Sequence, residues 1–232
     1  MTTISINLQA VRNRIAAACA VAGRPADAVQ LLAVSKTRPA ACVREAAACG
    51  QHAFGENYAQ EGAEKIAELA DLNLEWHFIG PLQSNKTRVV AESFAWVHSL
   101  ERLKIAERLA AQRPVHLPPL QVCVQVNVSG EASKSGCAPA AASALAHAIT
   151  ALPRLRLRGL MAIPAVADDA VLQRQNFARL STLFAQLNTE GLALDTLSMG
   201  MSHDLEAAIL AGATMVRVGT AIFGERQIRV LN

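Results

Sequence analysis

The segment LLAVSKTRP, residues 31–39, carries an ammonium group at the end of an apolar run. A lysine in such a place is paired, reacts with something, or simply marks where a strand leaves the core. Alternation puts Leu32, Val34 and Lys36 on one face of that strand and Leu31, Ala33 and Ser35 on the other. If the first face looks inward, the Lys36 amine stands near any anion site at that end of the sheet. A neighbouring cation and desolvation would then favour the neutral amine, the form that makes a Schiff base with a carbonyl. Two segments late in the chain, SMGMSHD (198–204) and TMVRVGTAIFGER (214–226), hold the groups that could supply the rest. Gly200-Met201-Ser202 leads into a helical stretch beginning at His203, with Ser202 placed as its N-cap and Asp204 in its first turn. Gly219 and Thr220 offer backbone N–H groups with little screening, plus one hydroxyl. Capping and a tight turn explain each feature alone; together they suit a phosphate. Arg217 shares a strand face with Met215. Facing inward, it needs either a carboxylate partner or a ligand at the mouth of the fold. A ligand carrying both a carbonyl and a phosphate would satisfy all of these groups.

These residues need elements to position them, and the chain supplies a regular series. Strand-like runs lie at 29–35, 52–55, 75–80, 95–99, 120–127, 155–162, 194–199 and 214–219. Helical patterns fall between them, near 39–49, 58–70, 82–92, 101–112, 138–151, 169–188 and 203–211, and an extra helix near 7–22 precedes the first strand. Eight strands separated by helices predict an α/β fold with a parallel sheet, and the count favours a closed (β/α)8 TIM barrel over an open doubly wound sheet. The open sheet is further weakened because no G-x-G-x-x-G follows the first strand. No linker or composition shift interrupts residues 1–232, so a single domain is expected. In a barrel, sites gather where strands end. Lys36, Glu56-Asn57, Gly80-Pro81, His98-Ser99, the loop 127–136, residues 200–204 and residues 219–226 all fall there.

Composition excludes several classes of function. A net charge of +3, with scattered basic residues, argues against nucleic acid or a membrane surface as partner. RLRLR (154–158) sits where a strand enters the barrel and reads as a solvated strand base. The five cysteines form no C-x-x-C pair and read as small packing residues in a reducing compartment. The six histidines lack metal-binding spacing; a cluster of His77 and His98 with an acid is conceivable, but structural roles are the better reading, and no metal is expected. There is no nucleophile elbow or P-loop. The N-terminus lacks the apolar core of a signal peptide, and no run reaches membrane-spanning length, so a cytoplasmic protein is expected.

Taken together, LLAVSK, FGENY, HFIGPLQSNK and SMGMSHD…TMVRVGTAIFGER resemble the pyridoxal phosphate homeostasis protein family, which is related to the barrel domain of alanine racemase. The resemblance covers nearly the whole chain. It implies an alanine racemase-like barrel holding pyridoxal 5′-phosphate as an aldimine on Lys36. Asn57 would lie beside the cofactor, Ser202, Gly219 and Thr220 would receive its phosphate, and Arg217 would face the pyridine nitrogen. Lys134, in SKSG, matches a family lysine at the same rim, with an ordinary loop role as the plainer reading. His203 departs from the family pattern, which has an acidic residue there.

An arginine facing the pyridine nitrogen favours the unprotonated ring, a weak electron sink. The expected role is therefore intracellular buffering or delivery of the cofactor, with no catalytic residues and no turnover. The partners expected are pyridoxal phosphate and apo forms of enzymes that use it, and the chain reads as a monomer. A racemase is the alternative. It needs a second acid/base, which in alanine racemase comes from another domain; the chain runs only to Asn232 and leaves Tyr58, its only tyrosine, to stand in. A Schiff-base aldolase without the cofactor would explain Lys36 and a phosphate site but not the wider motif match.

Overall fold

A computed structural model describes residues 2–131, 134–164 and 170–225. Arg226 of the FGER motif, Asp169 at the expected start of a helix, and residues 132–133 of the loop after the fifth strand lie outside the described residues.

The chain opens with α1 (Thr3–Val21), then alternates strand and helix. β1 (Gln30–Val34), α2 (Ala40–Ala48), β2 (Ala53–Glu56), α3 (Ala59–Glu68) and β3 (Glu75–Phe78) form the first part. A 3₁₀ turn (Ser84–Lys86) runs into α4 (Thr87–Ser93), followed by β4 (Trp96–Leu100), α5 (Leu103–Gln112), β5 (Leu120–Gln125) and α6 (Pro139–Thr150). β6 (Leu155–Met161), α7 (Ala170–Thr189), β7 (Thr196–Ser198), α8 (Leu205–Leu210), β8 (Met215–Val218) and α9 (Thr220–Phe223) complete it. The strands close into a barrel in sequence order, every pair parallel, with β8 returning to β1. The closing register pairs Leu32 with Arg217 and Ala33 with Val218, so the ends of β1 and β8 lie side by side.

Three elements differ from the sequence expectation. α1 begins earlier because the Thr2 hydroxyl accepts the Ser5 N–H at 3.3 Å and caps it there. The expected helix at 82–92 is split: Lys86 N–H donates to Gln83 O, and the Thr87 hydroxyl donates to Ser84 O, tightening the first turn to 3₁₀. α9 spans only four residues, too short for any periodic signal.

The strand faces sort as alternation requires. Outward side chains such as Ala33, Phe54, Val97, Val122, Leu160 and Val218 join the helices in one large core. The lumen holds two separate apolar groups: Leu32, Val34, Ala53, Ile79 and Met215, and on its other side Trp96, Cys123 and Met161. A fully buried side chain such as Leu32 in the lumen or Phe54 in the outer core is worth about 1.5–3 kcal/mol. Lys36 continues the inward row of Leu32 and Val34, and Arg217 that of Met215.

Candidate functional site

At the C-terminal mouth of the barrel, one cavity of about 230 Å³ is lined by every residue singled out above: Lys36, Asn57, Ser202, Arg217, Gly219 and Thr220. Val34, Ile79 and Ile163 give it apolar walls, and His203 also reaches it. An adjoining hollow of about 200 Å³ shares Asn57, Ile79 and Ile163 and brings Lys134 and Gln125 to the same rim. A larger cavity, about 920 Å³, opens at the opposite end of the barrel and holds none of these residues. The chemistry therefore belongs to the smaller one.

β1 delivers Lys36. Ser35, on the outer face, donates its hydroxyl to Glu56 Oε1 at 2.6 Å, while Thr37 donates its N–H to Glu61 Oε1, also at 2.6 Å. Thr37 sits at φ 62°, a left-handed conformation uncommon for a β-branched residue. Between them, the buried Lys65 ammonium donates to Ser35 O, Glu56 Oε1 and Glu61 Oε1. The residues flanking Lys36 are thus bolted to α3, which leaves the lysine side chain turned toward the lumen.

Asn57 is held by a close backbone approach. A Cβ on Gly80 would lie 2.1 Å from Asn57 O, so only glycine lets the loop after β3 pass there. Asn57 Oδ1 is buried with no hydrogen-bond partner among the described residues. An orphaned acceptor in a cavity wall suits a ligand that brings its own donor.

The opposite edge is built from the ends of β7 and β8. Gly200, at φ 91°, turns the chain, and a Cβ there would lie 2.5 Å from Ala208 Cβ. Ser202 is not the N-cap of α8, as the sequence suggested: the helix starts at Leu205, with Asp204 in the cap position. Asp204 instead accepts the Met201 N–H at 2.6 Å, folding 201–204 into a turn that pulls Ser202 clear of the helix. The freed Ser202 hydroxyl accepts the Ala221 N–H at 3.4 Å and faces the cavity. A Cβ on Gly219 would come within 3.1 Å of Val34 O, so glycine lets β8 leave the barrel close against β1.

Arg217 is 3% exposed, and no carboxylate among the described residues lies within salt-bridge distance of it. Its guanidinium donates to Ser198 O at 2.6 Å, Ser198 Oγ at 2.8 Å and Ala162 O at 2.9 Å. Burial lowers its pKa to about 10, with Asp204 and Cys123 acting the other way, so it stays a cation at neutral pH. A fixed cation, a lysine, a hydroxyl-and-glycine edge and an orphaned amide oxygen around one small cavity fit a planar phosphate ester that carries a carbonyl.

Comparison with known proteins agrees with this geometry. Residues 6–227 match the family described as alanine racemase, N-terminal domain. The chain is 64% identical over 226 residues to the pyridoxal phosphate homeostasis protein of Pseudomonas aeruginosa, covering 97% of each chain. The chain belongs to the alanine racemase N-terminal domain family.

The solved structure of PipY from Synechococcus elongatus, described with PLP bound, superposes with a TM-score of 0.83 at 39% identity, covering 95% of this chain and all of PipY. Alanine racemase of Corynebacterium glutamicum shares the fold, with a TM-score of 0.70 at 18% identity; this chain, 97% covered, spans 64% of it. The family resemblance read from the motifs is thereby confirmed, and so is the alanine racemase-like barrel.

Sequence reasoning missed one support of the site and only half saw another, the pairing of His77 with His98. The missed one is α1. Arg14 pairs with Glu206 and donates to Ser202 O at 3.0 Å, and Asn7 donates to Ile222 O at 3.0 Å. The extra helix thus latches both loops of the Ser202–Thr220 edge from outside, though nothing in its period distinguishes Asn7 or Arg14 from surface residues. The other is a buried row behind Arg217. His98 faces Ser198 Oγ at 2.8 Å and His77 at 2.9 Å, and His77 faces Glu75 at 2.9 Å. A histidine cluster with an acid therefore exists, as hydrogen bonds rather than a metal site; no group of potential ligands that could hold a metal is present among the described residues.

The basic run at 154–158 is structural. Arg154 donates to Arg113 O, Pro114 O and Leu117 O, and Arg158 pairs with Asp195 while lying over the Trp96 ring. All five cysteines are free thiols. No helix among the described residues is long and apolar enough to cross a membrane.

Proposed function

We propose that this chain binds pyridoxal 5′-phosphate at the barrel mouth and serves its homeostasis inside the cell, buffering or delivering the cofactor without turnover. The observation that carries the reading is the convergence of Lys36, Arg217 and the Ser202–Gly219–Thr220 edge on one cavity. The name of the Pseudomonas relative and the PLP described in PipY support it. Lys36 is the covalent anchor, Ser202, Gly219 and Thr220 hold the phosphate, Asn57 receives a donor from the ligand, and Arg217 holds the ring nitrogen. Lys134 and His203 stand at the rim of the same site. Bound there, the cofactor would supply an aldehyde suited to the Lys36 amine and an electron-withdrawing ring. Arg217 works against the second property. A cation at the ring nitrogen keeps a proton off it, so the site retains the cofactor better than it promotes carbanion chemistry. Tyr58 is 53% exposed at the start of α3 and is not among the residues lining the cavity, which makes it a poor second base. The whole chain acts as one cofactor-binding unit, a monomer in the cytoplasm, where its five free thiols stay reduced, and its partners are apo enzymes that need the cofactor.

Borohydride reduction of the loaded protein followed by peptide mapping tests the site: the adduct is expected on Lys36 and absent in Lys36→Ala. Incubation with single amino-acid enantiomers in deuterated water tests the role. Exchange at Cα with racemization at enzymatic rates would overturn the reading of a protein without turnover. Delivery is tested by following cofactor transfer to an apoenzyme, where transfer no faster than from free cofactor leaves buffering alone.

A further inference from the structure

The polar row behind Arg217 has only one consistent assignment of protons. At its lower end stands Glu75, half exposed at the N-terminal rim of the barrel and facing the cavity of about 920 Å³ there. Its carboxyl is held down to about 2, chiefly by the hydrogen bond from His77, so it is a carboxylate and can only accept. His77 Nε2 must therefore carry a proton. Burial lowers the pKa of His77 and of His98, and both rings are neutral, each with one N–H. His77 Nδ1 is then bare and accepts from His98 Nε2–H; His98 Nδ1 is bare in turn and accepts the Ser198 hydroxyl proton. Ser198 Oγ keeps its lone pairs for Arg217, which can only donate. The upper end accommodates the direction that the lower end sets, because Ser198 Oγ accepts from Arg217 whichever way its own proton points.

The row crosses the lumen from β3 and β4 to β7 and β8. The charged and titratable groups facing it are few. His77 meets Glu75 and His98, stacked on the Trp96 ring at 5.2 Å; His98 meets His77, Ser198 and Arg217; and Arg217 also feels Asp204 and Cys123. Serine and both histidines are fully buried, so no water competes for these bonds. Chains of this kind polarise in one sense and hold their end groups more tightly than isolated pairs do.

We propose that Glu75, His77, His98 and Ser198 form a one-directional hydrogen-bond relay that positions Arg217 against the cofactor ring from the far end of the barrel. The four are positioning residues, and the relay rests on the site reading above. It explains why, among the described residues, the buried guanidinium meets two backbone carbonyls and the Ser198 hydroxyl, with two histidines behind that hydroxyl, where a carboxylate would be the ordinary partner. A carboxylate at that position would neutralise the cation the ring nitrogen faces. The relay keeps the negative charge at the opposite end of the barrel and passes on only its orienting effect.

The test needs no variant at first. Two-bond ¹H–¹⁵N correlation spectra of ¹⁵N-histidine-labelled protein, without and with pyridoxal phosphate, are expected to show His77 and His98 as neutral rings protonated on Nε2 across the neutral pH range. An Nδ1–H ring or a charged ring at either residue would overturn the relay. In Ser198→Ala, Arg217 keeps its bond to the Ser198 carbonyl but loses the relay. Cofactor release is expected to quicken by about 3- to 10-fold, the weight of one buried hydrogen bond, with a changed pH dependence of the visible absorbance of the bound cofactor. Release and spectra identical to wild type would refute it. If borohydride labels no Lys36 in the wild type, the site reading fails, while the histidine spectra still decide whether the relay exists.

Discussion

Two buried polar networks flank the barrel wall, and each serves one of the two cations proposed for the site in a different way. Inside, the row from Glu75 to Arg217 has charges only at its ends and neutral rings between them. Outside, under α3, Lys65 crowds against Glu56 and Glu61, and one Glu56 oxygen has no hydrogen-bond partner among the described residues. The inner network grips the Arg217 guanidinium itself. The outer one holds the residues on either side of Lys36, Ser35 and Thr37, and so sets the backbone from which the lysine projects. The difference suits the proposed roles. A cation that stays beside the ring can be tied down by its side chain, whereas an amine that forms and breaks a covalent bond must be free to change partner. Direct ties suit the first and indirect ties the second.

The outer cluster is the easier to break. Removing Lys65 leaves a fully buried carboxylate facing Glu61 without its counterion, a situation that costs about 3–5 kcal/mol. Lys65→Met is expected to lose that much in urea unfolding. Glu56→Gln combined with Lys65→Met should lose distinctly less, because the two charges are coupled. A double variant as unstable as the sum of the two singles would mean the cluster does not act as a unit.

The two networks also answer pH with opposite sign. Burial holds His77 and His98 neutral, with their folded pKa values below the usual one. As pH falls below about 6.5 the unfolded chain takes up these protons first, and stability drops by up to about 2.7 kcal/mol per pH unit for the pair. Glu56 behaves in the reverse way. Burial raises its carboxyl, opposed by Lys65, so its contribution is fully present below about 4.5 and is lost as pH rises through its raised value. Urea unfolding of the wild type from pH 8 to pH 5 should show the histidine loss. A flat profile would mean the inner rings accept protons. The difference between wild type and Glu56→Gln should drift against the wild type as pH rises.

Most of the barrel was legible before any coordinates, because strand alternation and helical periodicity repeat along the chain and a closed barrel asks for little more. The lining of the cavity was legible where a residue stands out locally: a lysine ending an apolar strand, an arginine inside a strand, glycines beside a hydroxyl. Its supports were hidden for physical reasons. Glu75, His77, His98 and Ser198 meet across the lumen from strands far apart in the chain, and no local pattern marks such a meeting. Arg14 and Asn7 sit on a helix whose period says only which face is buried. Ser202 was misplaced as a cap because N-cap preference is local, and it yielded to Asp204 folding back on Met201.

Glu75 gives a milder way to test the inner row. Glu75→Gln keeps an acceptor for His77 but removes the charge and adds a donor, so the direction of the row is no longer enforced. Glu75 is half exposed, so solvent screening limits the loss to about 1 kcal/mol at neutral pH. The sign is that of a depressed carboxyl: the contribution is present above the ordinary carboxylate value and is lost as pH falls from about 4.5 to about 2. Wild type and variant should therefore converge in stability in strong acid. A constant gap down to pH 2 would assign the loss to packing.

The smallest effect should separate aim from stability. Thr37 holds φ 62° with a β-branched side chain, a strain of order 1 kcal/mol that glycine does not feel. Thr37→Gly removes that strain, offset by the greater freedom of glycine in the unfolded chain, and a net gain of about 0.5 kcal/mol is expected. The same freedom loosens the turn that directs Lys36, while the N–H bond to Glu61 is still available. Cofactor release should quicken about twofold in a protein that unfolds at slightly higher urea. If release slows together with the gain in stability, Lys36 is aimed by overall rigidity, and the indirect tie that sets it apart from Arg217 is not what holds it. Faster release together with higher stability would place the aim in the backbone at Thr37, as the outer network implies.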